Sequence, residues 1–146
     1  MNLRAAFRRG LAPQCAARRL DMSTILIVED NEKNMKLVRD LLQHRGHRTL
    51  EAATGESGVA LALAERPDLI LMDIQLPDID GVTALQRIRD AGTLDAVPCL
   101  AVSASVMPDD QRRITASGFD GFIAKPISLK PFLAAVDAAL ARGRAT

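Results

Sequence analysis

The sequence has very few aromatic residues. Its 146 residues include no Trp and no Tyr, and aromatics make up 3% of the chain. A core must therefore be built from Leu, Ile, Val, Met and Ala, and the chain has no stacking platform for single-stranded nucleic acid. With 48% apolar residues, a chain of this length can still fold as one domain without a structural metal ion or disulfide bonds. From this length we expect one domain and not a multidomain enzyme.

Long apolar runs and metal-type cysteine patterns are also missing. No stretch approaches the roughly 18 consecutive apolar residues of a transmembrane helix, so we expect no membrane-spanning segment. The two cysteines, Cys15 and Cys99, have no metal-ligand spacing around them. This favours a reduced, cytoplasmic protein.

Basic residues are concentrated at the amino terminus. Residues 1–21 contain five arginines and one acid, a net charge of +4, which leaves −3 for the remainder of a chain whose total is +1. A mildly acidic body disfavours binding to nucleic acid. Because arginines interrupt every apolar stretch of 1–21, we interpret this segment as a disordered extension, or as sequence upstream of a true start at Met22, and not as an export signal. A transit peptide and a basic membrane-touching arm are the alternatives. Residues 143–146 are interpreted as a tail.

From Met22 onward, short aliphatic runs alternate with longer segments of helical periodicity, which predicts repeated βα units and a parallel sheet. The five predicted strands are Thr24–Val28, Arg48–Ala52, Leu69–Met72, Cys99–Val102 and Gly121–Ala124. The apolar face of the first predicted helix consists of Met35, Val38, Leu41 and Leu42, and the last helix has one apolar stripe of Leu129, Phe132, Leu133, Val136 and Leu140. A second helix is predicted to contain Val59, Leu61 and Leu63, and a third to contain Val82, Leu85 and Ile88. Gly46 and Gly118 are predicted at helix C-termini, and Asp80 and Ser128 at N-caps.

Polar residues follow four of the predicted strands. The first strand runs into Glu29 and Asp30, the third into Asp73, the fourth into Ser103 and the fifth into Lys125. Each residue alone is typical of an ordinary loop. Because the carboxyl ends of parallel strands meet at one edge of a sheet, where ligands bind, we expect the five side chains to converge.

Three carboxylates in one cleft require compensation. At about 4 Å each pair repels by roughly 4 kcal/mol when the effective dielectric constant is near 20. Lys125 supplies one positive charge. A hard divalent cation such as Mg²⁺, which prefers oxygen ligands, would supply the rest.

A carboxylate, a hydroxyl, an ammonium group and Mg²⁺ suit phosphoryl transfer. The chain has no G-x-x-x-x-G-K-[ST] loop, so it is not a P-loop nucleotide hydrolase. Its two histidines, His44 and His47, precede the second strand at the opposite edge of the sheet, and we interpret both as surface residues. The phosphoryl group would therefore arrive on a donor, with Asp73 as the natural nucleophile.

Four motifs resemble the receiver domain of two-component response regulators. They are ILIVEDN at 25–31, LILMDIQLPDIDG at 69–81, VSA at 102–104 and AKP at 124–126. The similarity covers residues 22–142 and is greatest to single-domain regulators of the DivK and CheY kind. It implies an α/β fold, a doubly wound (βα)5 flavodoxin-like parallel sheet with strand order 2-1-3-4-5.

The resemblance also implies residue roles. Asp73 would accept a phosphoryl group from a histidine kinase or phosphotransfer protein. Mg²⁺ would be held by Asp30, Asp73 and the backbone carbonyl of Gln75, with Glu29 assisting through water. Ser103 and Lys125 would contact the phosphoryl oxygens, and the bond from Lys125 to Pro126 is expected to be cis.

Further positions are implied to tune or transmit the signal. Gln75 and Ser105 flank the phosphoryl site and would set the lifetime of the phosphoaspartate. Phe122 falls where the family carries an aromatic switch residue, and an ordinary core or edge aromatic fits the same position. Ser103 stands where many members have Thr, which removes a methyl group and stiffness about χ1, so switching is expected to be looser.

The segment from Met107 to Ser117 has few large apolar residues, so we expect it to be weakly anchored and to shift readily. Residues 107–125 are the predicted signalling face, contacting a downstream target protein or kinase. Arg112 and Arg113 in this segment fit a solvated helix face better than a partner contact. The expected protein is a monomer or a phosphorylation-dependent dimer, and not an enzyme beyond its own phosphorylation and dephosphorylation.

Three other functions share these features. A Mg²⁺-dependent phosphatase of the haloacid-dehalogenase type also has an Asp nucleophile after a strand, but it requires an acid two residues later, where this chain has Gln75. Flavin binding on the same topology is disfavoured by a carboxylate-rich crevice. An unphosphorylated adaptor role is weakened by the complete set of acid, hydroxyl and lysine.

Overall fold

The computed structural model describes residues 23–104 and 107–142. The predicted extension over 1–21, the tail over 143–146 and Ser105 lie outside the described residues. Strands and helices alternate along the described chain: β1 (Thr24–Val28), α1 (Glu32–His44), β2 (Arg48–Ala52), α2 (Gly55–Glu65), β3 (Leu69–Asp73), α3 (Gly81–Asp90), β4 (Cys99–Ser103), α4 (Pro108–Ala116), β5 (Gly121–Ala124) and α5 (Leu129–Arg142). Among these helices, none combines the length and the apolar character needed to cross a membrane.

The strands form one parallel sheet in the order β2-β1-β3-β4-β5, which confirms the predicted topology. The winding reverses between β1 and β3, because β2 lies on one side of β1 and every later strand lies on the other. Val28 pairs with Met72, and Asp73 pairs with Val102. The ends of β1, β3 and β4 are therefore level at one edge of the sheet.

The sheet is covered on both faces, which explains why its central strands are apolar at nearly every position. Alternate strand residues point into two separate cores. One core joins Leu26, Val28, Ile70 and Met72 to α2, α3 and α4. The other joins Ile25, Ile27, Leu69 and Leu71 to the buried faces of α1 and α5.

Helix α2 contains Val59, Leu61 and Leu63 as predicted, but it packs against the sheet through small residues. Its buried residues are Gly55, Gly58 and Ala62, whereas Val59, Leu61 and Leu63 are only partly buried at the margin of the core. Because α2 has apolar residues on several sides, its sequence periodicity does not identify the buried face. A Cβ atom on Gly58 would lie 2.8 Å from Cγ2 of Val28, so glycine lets the helix approach β1 closely.

Two side chains differ from expectation. His47 is buried, because Gly46 with φ of 90° turns the chain back and the His47 amide donates to the carbonyl of Leu42. Its Nδ1 accepts a hydrogen bond from the Ser23 amide at 3.3 Å, at the amino-terminal edge of the sheet. Leu129 is exposed, because it begins α5 one turn before the buried stripe starts at Phe132.

The contact between Gly58 and Val28 generates a stability prediction. We expect Gly58→Ala to lower the free energy of unfolding by about 1–3 kcal/mol through overpacking, although alanine is intrinsically the better helix former by about 1 kcal/mol. Urea unfolding followed by circular dichroism measures the change. The cost should shrink when Val28→Ala removes the opposing methyl groups, and an equal cost in both backgrounds would contradict the packing explanation.

Candidate functional site

The carboxyl ends of the strands enclose a cleft of about 450 Å³. Parallel strands bring their ends together here, although the residues are far apart along the chain. The cleft is lined by Glu29, Asp30, Asn31, Asn34, Asp73, Gln75, Leu76, Pro77 and Lys125.

Three carboxylates meet in this cleft. One oxygen from each of Glu29, Asp30 and Asp73 lies within 4.8 Å of the others. Glu29 and Asp73 are buried, because Glu29 directly follows the apolar strand β1 and Asp73 is the last residue of the apolar strand β3, whereas Asp30 is exposed at the mouth. The two buried acids have little water to screen their charges, so their mutual repulsion is strong.

Lys125 provides positive charge on the other side of the cleft. Its Nζ lies 3.0 Å from Oδ2 of Asp73 and 3.1 Å from Oε1 of Glu29. The Lys125 amide donates to the carbonyl of Ser103 at 2.9 Å, which extends the pairing of β4 with β5 by one residue. The peptide bond between Lys125 and Pro126 is cis, as expected.

The charges of the cleft shift two pKa values. Burial, followed by the hydrogen bond with Asp73, raises the pKa of Glu29 above 4.5, and the opposing effects of the Asn31 amide and Lys125 do not cancel this. Burial by itself lowers the pKa of Lys125, but the hydrogen bonds and charges of Asp73 and Glu29 outweigh it, so the pKa is raised above 10.5. Lys125 is therefore a permanent cation at neutral pH.

Backbone amides fix the orientation of both buried acids. The Asn31 amide donates to Oε2 of Glu29 at 3.1 Å, and the Gln75 amide donates to Oδ1 of Asp73 at 3.0 Å. In each case the donor comes two residues after the acceptor, a local arrangement typical of turns. Asp73 therefore has one oxygen fixed by backbone and the other directed at Lys125.

Asn31 and Asn34 were not among the predicted site residues. Asn31 is the N-cap of α1, and its side chain accepts a hydrogen bond from the Asn34 amide. A residue in the first turn of a helix that starts at the carboxyl edge of a parallel sheet faces the same cleft as the strand ends. That position was the signal in the sequence that could have identified Asn34.

Gly81, the first residue of α3, contacts the backbone at the end of β3. Its amide donates to the carbonyl of Ile74 at 2.9 Å, and a Cβ atom on it would lie only 2.5 Å from the carbonyl oxygen of Asp73. Asp80 caps α3 by accepting from the Thr83 amide at 2.8 Å. The start of α3 therefore packs closely against the backbone of Asp73, the last residue of β3.

Ser103 and Phe122 are not among the described residues that line the cleft. Ser103 is buried at the end of β4, one residue beyond Val102, the register partner of Asp73. Phe122 is half-buried in β5 and packs against the core beneath α2, α3 and α4. Ser105, two residues after Ser103 in the sequence, is outside the described residues.

The donor set of the cleft fits a hard divalent cation. Glu29, Asp30 and Asp73 offer only oxygen, and among the described residues that line the cleft Lys125 is the one cation that balances the three acids. Mg²⁺ prefers oxygen ligands, keeps several waters and binds through one or two carboxylates. The acidic cluster is consistent with a magnesium site beside a phosphoacceptor aspartate.

Comparisons with known proteins agree with this geometry. A family model described as the response regulator receiver domain matches residues 25–137. The polar-differentiation response regulator DivK of Brucella anthropi is 44% identical over 110 residues, which cover 75% of this chain and 89% of that protein.

Solved structures show the same similarity. The receiver domain of a Pseudomonas aeruginosa sensor histidine kinase, solved with a magnesium ion coordinated in its active site cleft, is 30% identical with a TM-score of 0.75, covering 81% of this chain and 97% of that one. The chemotaxis response regulator CheY4 of Vibrio cholerae is 25% identical with a TM-score of 0.78, covering 82% and 99%.

These matches give no support to the phosphatase alternative. The position that would need an acid in such an enzyme holds Gln75, which lines the cleft, and the matched family is one of signalling domains. The motifs, the sheet order, the acidic cluster and the family match all agree: the chain belongs to the response regulator receiver domain family of two-component signalling.

Proposed function

We propose that this protein is a phosphorylation-operated switch in which Asp73 accepts a phosphoryl group. The observation that carries the proposal is the position of the Asp73 carboxylate, which is buried, fixed by the Gln75 amide and 3.0 Å from the Lys125 ammonium group. The receiver unit spans residues 22–142, and the family match over 25–137 supports this range. The protein acts in the cytoplasm by binding partners, and its only chemistry is its own phosphorylation and dephosphorylation.

The phosphoryl donor is a phosphohistidine of a histidine kinase or phosphotransfer protein. A carboxylate oxygen of Asp73 attacks phosphorus, the phosphorus–nitrogen bond breaks, and the leaving imidazole takes up a proton. Little covalent assistance is needed in such a transfer, because positioning and neutralisation of charge contribute most of the catalysis. Lys125 neutralises one developing charge, and the backbone amide of Gln75 prevents Asp73 from rotating.

Magnesium completes the charge balance. Asp30, Asp73 and the backbone carbonyl of Gln75 would hold the ion, with Glu29 assisting through a water molecule. When bound, it supplies positive charge to the equatorial phosphoryl oxygens. The three acids lie close enough to share one ion, and the Gln75 side chain, together with Ser105, would set the lifetime of the phosphoaspartate.

The output is a rearrangement of residues 107–125. A phosphoryl group adds about −1.5 to −2 charges and three acceptor oxygens, which would draw Ser103 and Lys125 towards it, with Phe122 following. Helix α4 is suited to move, because Ile114 is its one buried residue. In addition, Met107 occupies its N-cap position, where Ser, Thr, Asp or Asn is usual. The moved surface would bind a downstream target protein or kinase, with the receiver as a monomer or a phosphorylation-dependent dimer.

Phosphorylation is the direct test of this function. Incubation with Mg²⁺ and a small acyl phosphate should add the mass of one phosphoryl group to the intact protein. Asp73→Asn should abolish the gain. The matched control is Asp68→Asn, at the opposite end of the same strand, which should be phosphorylated like the wild type. Absence of the gain in the wild type, or its survival in Asp73→Asn, would show that Asp73 is not the acceptor.

The buried acid Glu29 generates a pH-dependent prediction for the metal-free protein. We expect Glu29→Gln to raise the free energy of unfolding at pH 7 by about 1 kcal/mol, because it removes a disfavoured buried charge while Asp73 still pairs with Lys125. Since the folded pKa of Glu29 lies above 4.5, the native state holds its proton longer than the unfolded state. The wild type should therefore lose stability relative to the variant as pH rises from the pKa of Glu29 in the unfolded state through its raised pKa in the folded state.

Urea unfolding in the presence of a chelator, at several pH values from acid to neutral, measures this difference. Glu65→Gln removes an exposed carboxylate and should change stability by no more than about 0.5 kcal/mol. A Glu29→Gln variant that is less stable than the wild type at pH 7, or a difference that does not vary with pH, would contradict the assignment.

The switch itself is tested by separating phosphorylation from its output. With Mg²⁺ and beryllofluoride as a phosphoryl mimic, amide NMR shifts should change most over residues 103–125. Ser103→Ala should still accept a phosphoryl group on Asp73 but lose most of the shift changes in α4, because the hydroxyl that responds to the new oxygens is gone. Shift changes in α4 that persist in Ser103→Ala would remove Ser103 from the switch.

A further inference from the structure

Asp78 links the loop after β3 to a neighbouring helix. It lies between β3 and α3, in the loop of residues 74–80, and its carboxylate reaches the first turn of α2. Oδ1 accepts from the Gly55 amide and Oδ2 from the Glu56 amide, both at 2.8 Å. The first amides of a helix have no partner within the helix, so this carboxylate satisfies two of them.

The electrostatics of this contact are favourable. The hydrogen bond from the Glu56 amide, followed by those from Gly55 and Ile79, lowers the pKa of Asp78 to about 2. Asp78 is therefore ionised at neutral pH. Its negative charge also lies at the positive end of the α2 dipole.

A second and independent contact joins the same two segments. Ile79 packs so closely on Gly55 that a Cβ atom there would lie 2.5 Å from Cγ1 and 3.0 Å from the carbonyl oxygen of Ile79. Two successive loop residues are thus attached to one helical turn, one by hydrogen bonds and the other by packing.

The attachment is close to Gln75 along the chain. Two residues, Leu76 and Pro77, separate Gln75 from Asp78. Leu76 packs against the core, and the ring of Pro77 fixes its φ angle. On its other side, the Gln75 amide donates to Oδ1 of Asp73. The peptide that follows Gln75 is consequently held from both ends over a short, stiff stretch of chain.

We propose that Asp78 is a positioning residue for the metal site, which directs the backbone carbonyl of Gln75 by fastening the loop of residues 74–80 to α2. This inference rests on the proposed function, in which that carbonyl is a magnesium ligand. Asp78 acts through the loop and is not itself a ligand. Groups that orient metal ligands commonly matter for affinity although they do not touch the ion.

The test is the magnesium dissociation constant of the full chain, measured by NMR titration of amide resonances because the protein has no Trp or Tyr. Asp78→Ala should weaken magnesium binding about tenfold, the lower end of the range for groups that orient metal ligands. Asp78→Asn keeps one acceptor oxygen and should lie between Asp78→Ala and the wild type. If Asp78→Ala does not fold, the comparison of Asp78→Asn with the wild type decides the matter.

Two control variants separate positioning from simpler explanations. Thr54→Ala removes the other cap of α2, in which the Thr54 hydroxyl accepts from the Ser57 amide at 3.1 Å, and should cost about 1 kcal/mol of stability while leaving the loop attached. Glu56→Gln removes a carboxylate from the same turn but keeps the hydrogen bond from the backbone amide of residue 56 to the Asp78 carboxylate. Both should bind magnesium with wild-type affinity.

Wild-type affinity in the Asp78 variants would overturn the positioning role. Equal weakening by Thr54→Ala would assign the effect to stability of α2, and equal weakening by Glu56→Gln would assign it to lost negative charge; either result would also overturn it. If the wild type is phosphorylated and binds magnesium normally, such a failure leaves the proposed function intact. A wild type that neither binds magnesium nor is phosphorylated would overturn both.

Discussion

Mutual repulsion among acids at the ends of parallel strands is the constraint on which this structure depends. Glu29 directly follows β1 and Asp73 ends β3, two strands that are apolar on both faces, so their carboxylates are buried by the same packing that stabilises the sheet. Water cannot screen them well, and Asp30 adds a third charge at the mouth of the cleft. Lys125 offsets part of this repulsion, and the remaining charge imbalance makes the cleft suited to a cation and to the phosphoryl group that the cation would accompany.

The loop after β3 and helix α4 differ in how firmly they are held. The loop of residues 74–80 is fixed by the amide of Gln75, the carboxylate of Asp78 and the close packing of Ile79 on Gly55. Helix α4, by contrast, has a single buried residue, Ile114. A firmly held loop beside the acids and a weakly anchored helix are what a binding site coupled to a movable surface requires.

Much of the architecture could be predicted from the sequence. Three strands match their predicted bounds, and the other two extend one residue further, to Asp73 and Ser103. Aliphatic runs bounded by Gly and Pro mark buried parallel strands clearly, because such strands have no polar face. The convergence of Glu29, Asp30, Asp73 and Lys125 followed from the rule that parallel strands end at one edge. The presence of α2 was predicted but its buried face was not, because a helix with apolar residues on several sides gives no periodic signal for that face.

The sequence by itself determined the order of strands and helices and the identity of the charged groups that follow the strands, because both depend on local pattern and on the geometry shared by all parallel sheets. Only the tertiary structure decided which contacts fasten those groups. The attachment of Asp78 to Gly55 and Glu56 joins residues more than 20 positions apart, and the burial of His47 depends on a reversal of the chain at Gly46. Such contacts arise when packed elements meet, and their distances are set by side-chain volumes across the whole core, which no local pattern records.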